Sequence, residues 1–428
     1  MSEAVQALRL SGFSIENLGG IEHLEVEGLP EAKGGQWIVV LGDNGSGKSS
    51  LLRGLALSAL SWNGGTPVGL LETTPLALRR EGSLARLSFG IRWDVSSLKA
   101  QRDGVWSTGP NASRSGSTHF LAAYGVARGG ALAGPDRAVD LENPYGAVAT
   151  LFALPSQLVH AETWLVQVRF EALESGDPQF FDAVSSTLLS LLPGASKLEV
   201  KREGVWIEGE FGRVPLSGLS DGYITTLGWT LDLLARWEKW ARSNGVPLGQ
   251  NFAKEMTGLV LVDELDLHLH PRWQRNVIGS LRRAFPNLSF VCTTHNPLTL
   301  LGAKPGEVFT LEQEEGGHVL IQRDLPKGIR ADQVLTGPWF GLSSTLDRGT
   351  LQMLGRHRNL LADGVARDDP DRVALEGRIR SRLGSYAELS EERLALSAVQ
   401  QLFEDEPELS AADRMRALDL LNERVGEG

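Results

Sequence analysis

The chain has 428 residues, of which 42% are apolar, so it can bury a large core and is not disordered throughout. The formal net charge of −11 opposes non-specific attraction to nucleic acid over the whole molecule, although acidic residues are concentrated after Leu361 and a basic groove can exist elsewhere. The single cysteine, Cys292, excludes an intramolecular disulfide and a multi-cysteine metal site.

Neither a targeting signal nor a membrane segment is visible. The N-terminus lacks the basic and then apolar pattern of a signal peptide. No stretch approaches the roughly 18 uninterrupted apolar residues of a membrane-spanning helix. We therefore expect a cytoplasmic protein with no membrane partner.

The first 41 residues predict strands that lead into a glycine-rich loop. Apolar residues between Leu8 and Val26 are spaced loosely in period two, as in strands with one buried face. The run Trp37–Leu41 is continuously apolar, as a strand buried on both faces would be. A helix is predicted over residues 49–60, directly after the loop.

That loop carries the strongest motif, GDNGSGKS, which begins at Gly42. It fits the pattern G-x-x-x-x-G-K-[ST] between a strand and a helix, the context of a phosphate-binding P-loop. Its backbone N–H groups can surround phosphate oxygens, and the helix adds the positive end of its dipole. Lys48 can reach the β- and γ-phosphates, and Ser49 can bind Mg²⁺. The predicted nucleotide-binding residues of the loop are Asn44, Gly45, Ser46, Gly47, Lys48, Ser49 and Ser50.

The middle of the chain mixes strands with a helical region. Strands are predicted near residues 84–93 and over His119–Tyr124, on either side of a Ser/Gly/Asn-rich loop at 107–117. Residues 155–193 have helical periodicity. Two short strands follow, around the turn at Arg202–Gly204.

The sequence LSDGY then leads into a long helix that begins at Asp221 and is predicted to end near Arg242. Ser220 is a candidate N-cap, and Gly222 permits close approach of another backbone. One interpretation is an ordinary helix cap. The other is a second phosphate-binding helix N-terminus, which acts on the nucleotide of a different molecule.

A second strand-end motif is LVLVDE, which ends at Asp263 and Glu264. Ligands of open α/β sheets bind at the carboxyl ends of the strands, where these two carboxylates stand. Asp263 can hold Mg²⁺ through water, and Glu264 can polarise the attacking water. A strand that ends in Asp-Glu is common, so the motif gains its meaning from the P-loop that precedes it.

The next predicted strand ends in TTHNP, which places His295 at a strand end. A lone histidine is more often structural, but its position one strand after Asp263 and Glu264 favours a sensor of the γ-phosphate. Cys292 in the same strand is interpreted as a small core residue.

The remainder of the chain predicts a hairpin and then helices. Residues 306–312 and 318–323 flank a glycine turn, and residues 271–284 are predicted to form one helix. Beyond Thr345 the pattern is helical to the end, interrupted near Pro370 and Pro407.

The order of P-loop, LSDGY, LVLVDE and TTHNP resembles the ABC-type ATPase head of the SMC and RecF class. The run DELDLHLHPRWQ from Asp263 to Gln274 is similar to the compact bacterial "AAA family" ATPases of the RecF/OLD type. The segment FLAAYGVAR, from Phe120 to Arg128, is similar to a family strand that reads aYG-x-x-R. The resemblance covers roughly residues 7–323.

This resemblance implies an α/β fold, with a mixed central sheet, an antiparallel β subdomain and a helical lobe at about 144–195. The expected domains are an ATPase head over residues 1–343 and a C-terminal helical region over 344–428. The latter is either a surface for a partner or oligomer, or a helical lid that completes the chain's own core.

The resemblance also assigns roles to single residues. Ser220 and Gly222 would contact the ATP held by the P-loop of a second subunit. His295 would match the switch histidine, and Glu264, His295 and Lys48 would form the catalytic set. Ser49 and Asp263 would hold the metal. His268 and His270 would lie at the dimer seam. Zinc at this His-x-His pair is disfavoured because neither cysteine nor further histidine is near. The glutamine that senses the γ-phosphate has no clear counterpart, with Gln157 or the loop after Tyr124 as the candidates.

The function that follows is an ATP-binding and ATP-hydrolysing switch with Mg²⁺ as cofactor, which forms a homodimer or higher oligomer around the nucleotide. Relatives of this type act on DNA in repair, and many belong to anti-phage systems of the Septu and retron type beside a nuclease. The sequence has no HNH-like or Toprim-like signature, so a nuclease effector is expected to be a separate protein.

Three alternatives remain open from the sequence. One is an ATPase of DNA repair or recombination, with DNA as a direct ligand. Another is the nucleotide-binding subunit of a transporter, which the LHLHP loop and the N-terminal strands disfavour. The last is a scaffold that binds ATP without appreciable hydrolysis, which Glu264 disfavours.

Overall fold

A computed structural model describes residues 8–30, 32–62, 85–91, 94–100, 106–108, 119–126, 128, 141, 143, 145–152 and 158–384. The chain divides into two compact units, Met1–Ser343 and Ser344–Gly428. The predicted role of the second unit as a partner surface stays a prediction. Within the described ranges no helix is long and apolar enough to cross a bilayer.

The strands of the first unit form a large mixed sheet and a small antiparallel one. The large sheet contains β1 (Leu10–Leu18), β2 (Ile21–Glu27), β3 (Trp37–Leu41), β4 (Ala85–Ile91), β5 (Asp94–Ala100), β6 (Trp106–Thr108), β7 (Leu121–Tyr124), β11 (Gly258–Val262), β12 (Leu288–Thr293), β13 (Val308–Glu314) and β14 (Gly317–Gln322). The small sheet contains β8 (Ala195–Lys201), β9 (Gly204–Gly209) and β10 (Gly212–Pro215). The order of the large sheet is β6-β5-β4-β1-β2-β14-β13-β3-β12-β11-β7.

The described helices of the first unit pack against its strands, and helices make up the described secondary structure of the second unit. In the first unit they are α1 (Lys48–Trp62), α2 (Ala161–Ser175), α3 (Gln179–Leu191), α4 (Asp221–Ser243), α5 (Phe252–Glu255), α6 (Pro271–Gln274), α7 (Val277–Ala284), α8 (Pro297–Leu300) and α9 (Ala331–Thr336). In the second unit they are α10 (Arg348–Ala362) and α11 (Pro370–Gly384). Short 3-10 turns lie at Ala149–Phe152 and Leu216–Gly218.

Parallel pairing runs through one half of the large sheet. Strand β11 is parallel to β7 and to β12, and β3 is parallel to β12 and to β13. Val262 is opposite Cys292, and Cys292 is opposite Val39. The carboxyl ends of these strands therefore meet at one edge of the sheet, which is where the predicted motifs begin.

The other half of the sheet is antiparallel. Strand β1 pairs with β2 and β4, and β4, β5 and β6 continue in the same sense. Strand β14 closes a hairpin with β13 and reaches β2 in parallel at His318 and Leu24. The predicted α/β class, with a mixed sheet and an antiparallel β subdomain, is thus confirmed.

The central strands are buried on both faces, and their alternate residues enter two separate cores. Val39, Leu41, Val260 and Val262 point into the core shared with α2, α3 and α4. Ile38, Val40, Leu259 and Leu261 point into the core shared with α1 and the antiparallel strands. Continuous apolar runs such as Trp37–Leu41 are needed because both faces of the strand are covered.

Helix α4 lies in the first of these cores and carries a buried polar network. Trp229 and Trp237 on α4 are fully buried. The Asp232 carboxylate accepts hydrogen bonds from the Tyr124 hydroxyl at 2.9 Å and the Val159 N–H at 2.9 Å, and it pairs with the Arg236 Nε at 2.7 Å. The network joins the edge strand β7 to the long helix and satisfies charges that would otherwise be costly to bury.

Two details differ from the sequence-based expectation. The single helix predicted at 271–284 is divided into α6 and α7 at Arg275 and Asn276. The Asn276 side-chain amide donates to the Arg272 carbonyl at 2.9 Å, and such local bonds compete with helix continuation. The strand predicted from His119 begins only at Leu121.

The second unit contains two described helices that contact each other through charged side chains. The His357 Nε2 and the Glu376 Oε1 lie 2.9 Å apart, and the Arg372 Nε donates to the same oxygen at 2.9 Å. These two partners hold the pKa of the Glu376 carboxyl below its usual range. The Asp347 side chain caps α10 by accepting from the N–H groups of Gly349 and Thr350.

Candidate functional site

The P-loop connects the central strand β3 to α1. Gly45 and Gly47 have φ angles of 84° and 96°, a left-handed conformation that favours glycine. A Cβ atom added at Gly47 would lie 2.9 Å from Cγ1 of Ile21. The glycine at this position therefore allows both the turn and its close packing against the β1–β2 hairpin.

Lys48 begins α1 and is buried, with 7% of its surface exposed. Its ammonium group donates hydrogen bonds to the carbonyls of Gly42 and Asp43, both at 2.8 Å. Burial lowers the pKa of Lys48, and the negative charges of Asp263, Asp43 and Glu264 oppose that shift. The cation is thus held within the curve of the loop and beside the strand-end carboxylates.

Ser49 and Asp263 lie in direct contact. The Ser49 Oγ donates to Oδ2 of Asp263 at 2.7 Å, and Thr293 Oγ1 donates to Oδ1 of the same carboxylate at 2.6 Å. Both oxygens of Asp263 are therefore oriented by hydroxyl groups from neighbouring elements. An aligned hydroxyl and carboxylate are the two protein ligands that a Mg²⁺–nucleotide complex needs from a P-loop protein.

Glu264 occupies an uncommon backbone conformation, with φ of 48°. A left-handed conformation is unfavourable for a residue that carries a Cβ, so surrounding contacts must hold it. Its N–H donates to Thr293 Oγ1 at 2.8 Å, and its carbonyl accepts from Arg128. The carboxylate is half-buried at the end of β11, close enough to Lys48 to act on that residue's charge.

His295 lies two residues after β12 and is exposed. Partial desolvation and the nearby Lys48 charge lower the pKa of its imidazole, against the opposite influence of Glu264, Asp266 and Asp263. The ring is therefore in the electrostatic field of both the P-loop and the strand-end carboxylates. At neutral pH this environment favours the uncharged imidazole, which can donate one hydrogen bond.

Ser220 and Gly222 lie at the start of α4. Ser220 occupies the N-cap position, but its hydroxyl makes no capping hydrogen bond and is exposed. A Cβ added at Gly222 would lie 2.4 Å from the His268 carbonyl oxygen, so Gly222 is pressed against the loop that follows β11. Hydrogen bonds join Ser49, Asp263 and Thr293, whereas within the described residues no such bond joins Ser220 or Gly222 to this cluster.

The two histidines of the LHLHP run are exposed at this same loop. His268 has φ of 63°, and the His270 ring accepts a hydrogen bond from the Arg272 N–H at 3.3 Å as the cap of α6. No group of three or more His, Cys, Asp or Glu side chains able to hold a metal is found within the described residues. The role of these histidines at a dimer seam stays a prediction.

Several site residues could not be identified from the sequence. Thr293 links Asp263 to the backbone of Glu264, and Arg128 donates to the carbonyls of Asp263 and Glu264. The signals were present in the repeated threonine of TTHNP and in the arginine of aYG-x-x-R, but neither spacing reveals which backbone is contacted. Gln157, one candidate for the γ-phosphate sensor, lies outside the described residues.

The β1–β2 turn also supports the loop. The Gly20 N–H donates to Ser50 Oγ at 3.1 Å, and a Cβ at Gly20 would lie 3.2 Å from the Gly47 Cα. Ser50, predicted as a nucleotide ligand, is thus already in contact with this turn. A larger residue at position 20 would therefore be tightly packed against the P-loop.

The residues present fit a nucleotide triphosphate with Mg²⁺. The loop offers a buried cation, and Ser49 and Asp263 offer hard oxygen ligands. The Ser46 hydroxyl is buried and has no hydrogen-bond partner among the residues that the structure describes, so it is left to donate to an anion. Lys48 uses loop carbonyls as acceptors, and these are weaker acceptors than charged phosphate oxygens.

Comparisons with known proteins found a family model and several related proteins. A family model described as "AAA domain, putative AbiEii toxin, Type IV TA system" matches residues 207–301. The chain is 28% identical over 346 residues to the Septu protein PtuA of Bacillus mycoides (strain KBAB4), a match that covers 78% of this chain and 45% of that protein. It is 38% identical over 149 residues to the "Retron Ec83 probable ATPase" of Escherichia coli, a match that covers 34% of this chain and 25% of that protein.

A solved structure with a similar outline is the Smc head domain with an extended coiled coil, bound to the C-terminal domain of ScpA, from Pyrococcus furiosus. The TM-score is 0.46 at 14% identity, with 74% of this chain and 96% of that chain covered. The chain spans about half the length of PtuA and a quarter of the retron ATPase. The resemblance to compact bacterial ATPases such as those of Septu and retron systems, stated above from the motifs, is confirmed by the PtuA and retron matches together with the AAA-domain match.

Proposed function

We propose that this protein is an ATPase that works as a switch: it binds Mg²⁺–ATP, closes into a dimer around the nucleotide, and reopens after hydrolysis. The observation that carries the proposal is the contact between Ser49 and Asp263 at 2.7 Å, directly beside the buried Lys48. It joins the two halves of a Mg²⁺–nucleotide site, which the sequence places 214 residues apart.

Each residue of this cluster has a defined part in the proposed reaction. Lys48 neutralises phosphate charge, and Ser49 and Asp263 hold the metal. Glu264 orients and polarises the attacking water as general base, and the neutral His295 donates a hydrogen bond to the phosphate that is cleaved. The bound nucleotide supplies the phosphoanhydride bond whose cleavage ends the closed state.

Ser220 and Gly222 are proposed to complete the site from a second subunit. Ser220 is exposed at the N-terminus of a helix of 23 residues, and its hydroxyl is not used as a cap. A helix N-terminus with a free hydroxyl can bind an anion. ATP would contact both subunits in the dimer and only one in the open state. It would therefore bind the dimer more tightly, and ATP binding would shift the equilibrium toward the dimer.

We further propose that this switch serves anti-phage defence and controls a separate nuclease. The support is the likeness to a Septu protein and to retron ATPases. Expression of the chain with its genomic neighbours in a phage-sensitive host should lower phage plating, and Lys48→Ala should abolish the protection. Lys33→Ala, an exposed lysine outside the site, is the matched control. Protection that survives Lys48→Ala contradicts the defence role of ATP.

The ATPase itself is tested with Glu264→Gln in the purified protein. Loss of the base should lower kcat by about 10²-fold or more while ATP still binds, and the variant should accumulate as an ATP-loaded dimer in light scattering. Glu315→Gln, in the exposed β13–β14 turn, serves as control. Hydrolysis by Glu264→Gln at the wild-type rate would remove Glu264 from the mechanism, and no hydrolysis by wild type would refute the proposed ATPase.

A further inference from the structure

Arg128 is among the most deeply buried charged residues that the structure describes, with 1% of its surface exposed. It follows the edge strand β7 by four residues, in a segment that leaves the sheet beside the end of β11. The Arg128 N–H donates to the Gly125 carbonyl at 3.3 Å, which closes a turn, and a Cβ at Gly125 would lie 2.2 Å from the Thr150 carbonyl oxygen, so the turn packs closely against a neighbouring backbone. This turn directs the Arg128 side chain inward, toward the strand-end carboxylates.

The guanidinium of Arg128 binds backbone rather than side chains. Its two terminal nitrogens donate to the carbonyls of Asp263 and Glu264, and one of them also donates to the Gly125 carbonyl at 3.0 Å. The planar, forked geometry of a guanidinium suits two adjacent carbonyl oxygens. One side chain thus donates hydrogen bonds to the carbonyls of two consecutive residues, Asp263, the proposed metal ligand, and Glu264, the proposed general base.

The backbone conformation at Glu264 must be stabilised by contacts from other parts of the chain. The φ of 48° at Glu264 is disfavoured for any residue with a Cβ, and it persists only where surrounding contacts oppose relaxation. The Thr293 hydroxyl holds the N–H side of Glu264, and Arg128 holds the carbonyl side. If either hold is lost, the turn can relax and the Glu264 carboxylate moves.

Two other roles for Arg128 fit these contacts less well. A direct phosphate ligand would have to release the carbonyls of Asp263 and Glu264, and the left-handed turn at Glu264 would then lose one of the contacts that hold it. A residue that serves packing alone does not need a charge. Burial lowers the pKa of Arg128 to about 10, with Asp263, Glu264 and Asp266 acting against the shift, so the group remains charged at neutral pH.

We propose that Arg128 is a positioning residue for ATP hydrolysis, which fixes the left-handed turn at Glu264 through the carbonyls of Asp263 and Glu264 and so sets where the general base stands. This inference rests on the proposed ATPase function. It makes Arg128 dispensable for ATP binding and important for the chemical step, a combination that a purely structural arginine would not produce.

The test is a double-mutant cycle between Arg128→Met and Glu264→Gln, measured as kcat and KM for Mg²⁺–ATP per nucleotide-binding site. Arg128→Met should lower kcat at least about 10-fold and leave KM within about three-fold. Because Arg128 acts through Glu264, adding Arg128→Met to Glu264→Gln should lower kcat by less than about two-fold further. Multiplied losses in the double variant would overturn the proposal.

Arg236→Lys is the matched control, since Arg236 is also a buried arginine of the first unit, with 4% exposed, and a lysine keeps a positive charge beside Asp232, to which the Arg236 Nε is bonded. Any loss of kcat that it causes should multiply with that of Glu264→Gln. If Arg128→Met does not fold, Arg128→Lys keeps the charge with fewer donors and should give an intermediate kcat at unchanged KM; a rate equal to wild type would overturn the proposal. Failure of the proposed function is seen separately, as wild type that does not hydrolyse ATP or Glu264→Gln that is unimpaired.

Discussion

The Ser49 hydroxyl and the Asp263 carboxylate meet at 2.7 Å, although Ser49 lies in the first turn of α1 and Asp263 directly follows β11. Strand β3 precedes Ser49 through the P-loop, and β11 ends one residue before Asp263. The two strands are separated in the sheet by β12, whose end contributes Thr293 to the same carboxylate. The order of the strands thus brings together the two proposed metal ligands, and the proposal can be tested by a substitution at the Ser49 hydroxyl.

We predict that Ser49→Cys changes the metal preference of hydrolysis. A thiol is a poor ligand for Mg²⁺ and a better one for softer divalent ions. The rate with Mg²⁺ should fall about 10-fold or more, and Mn²⁺ should restore part of it. Ser58→Cys, a buried serine on the same helix, should show no such change in preference. Equal Mg²⁺/Mn²⁺ ratios for wild type and Ser49→Cys would mean that Ser49 is not a metal ligand.

The pH dependence of ATP binding should follow Lys48. Burial lowers the pKa of free Lys48 below 10.5, and a bound triphosphate raises it again because the anion favours the ammonium form. Between the free and bound pKa values, ATP binding takes up a proton and affinity falls as pH rises. Below the free-state pKa, Lys48 is charged in both states and contributes no slope.

Calorimetry of ATP binding in two buffers of different ionisation enthalpy measures this proton uptake directly. Lys48→Arg is the matched variant, since a guanidinium stays charged across the accessible range, and its binding should show no uptake at the same pH. A binding enthalpy of the wild type that is independent of buffer throughout the alkaline range would show that Lys48 is not the group that titrates.

Much of the site could be placed from the sequence because its signals are local. The P-loop, the apolar run of β3 and the carboxylates after β11 each follow from a short segment and from the rule that ligands bind at the carboxyl ends of parallel strands. The contacts of Arg128 and Thr293 are different, because each depends on a partner across the sheet. No local pattern tells which carbonyl an arginine will reach 135 residues away.

The break between α6 and α7 was missed for a related reason. The apolar spacing of residues 271–284 is helical on both sides, so periodicity alone predicts one element. The Asn276 side-chain amide donates to the Arg272 carbonyl where the helix is interrupted. An asparagine in a continuous helix can instead point its side chain into solvent, so the residue type alone does not predict the break. A hydrophobic pattern does not show whether a polar side chain will bond to the backbone and interrupt the helix.

The buried network on α4 should dominate the stability of the first unit. Asp232→Asn removes the charge that faces Arg236 at 2.7 Å and weakens the bonds from Tyr124 and Val159. Removing one partner of a buried ion pair costs about 3–5 kcal/mol, which denaturant titration of the purified chain would measure. Glu203→Gln, an exposed carboxylate in the β8–β9 turn, should stay within about 0.5 kcal/mol of wild type. A loss below about 1 kcal/mol for Asp232→Asn would show that the network is not a main support.

Completion of each site by a second subunit can be tested by mixing two inactive variants. Lys48→Ala removes phosphate binding, and Ser220→Arg places a bulky cation at an exposed helix start without disturbing the core. Each variant alone should hydrolyse ATP at less than about a tenth of the wild-type rate. In a heterodimer, the intact P-loop of one subunit faces the intact Ser220 of the other, so one of the two sites is restored.

With random pairing at equal concentrations, half of the dimers are mixed and each has one working site, so activity should rise to about a quarter of the wild-type rate as subunits exchange. The matched mixture combines wild type with the double variant Lys48→Ala/Ser220→Arg. It contains each substitution in the same amount, but both substitutions lie on the same chain. Its mixed dimers pair the intact P-loop with a partner that carries the Ser220→Arg change, so neither of their sites works. Activity of this mixture should therefore fall from about half to about a quarter of the wild-type rate during exchange. If the two single variants remain inactive after mixing and subunit exchange is verified, Ser220 acts within its own chain or not at all, and the proposed dimer is wrong.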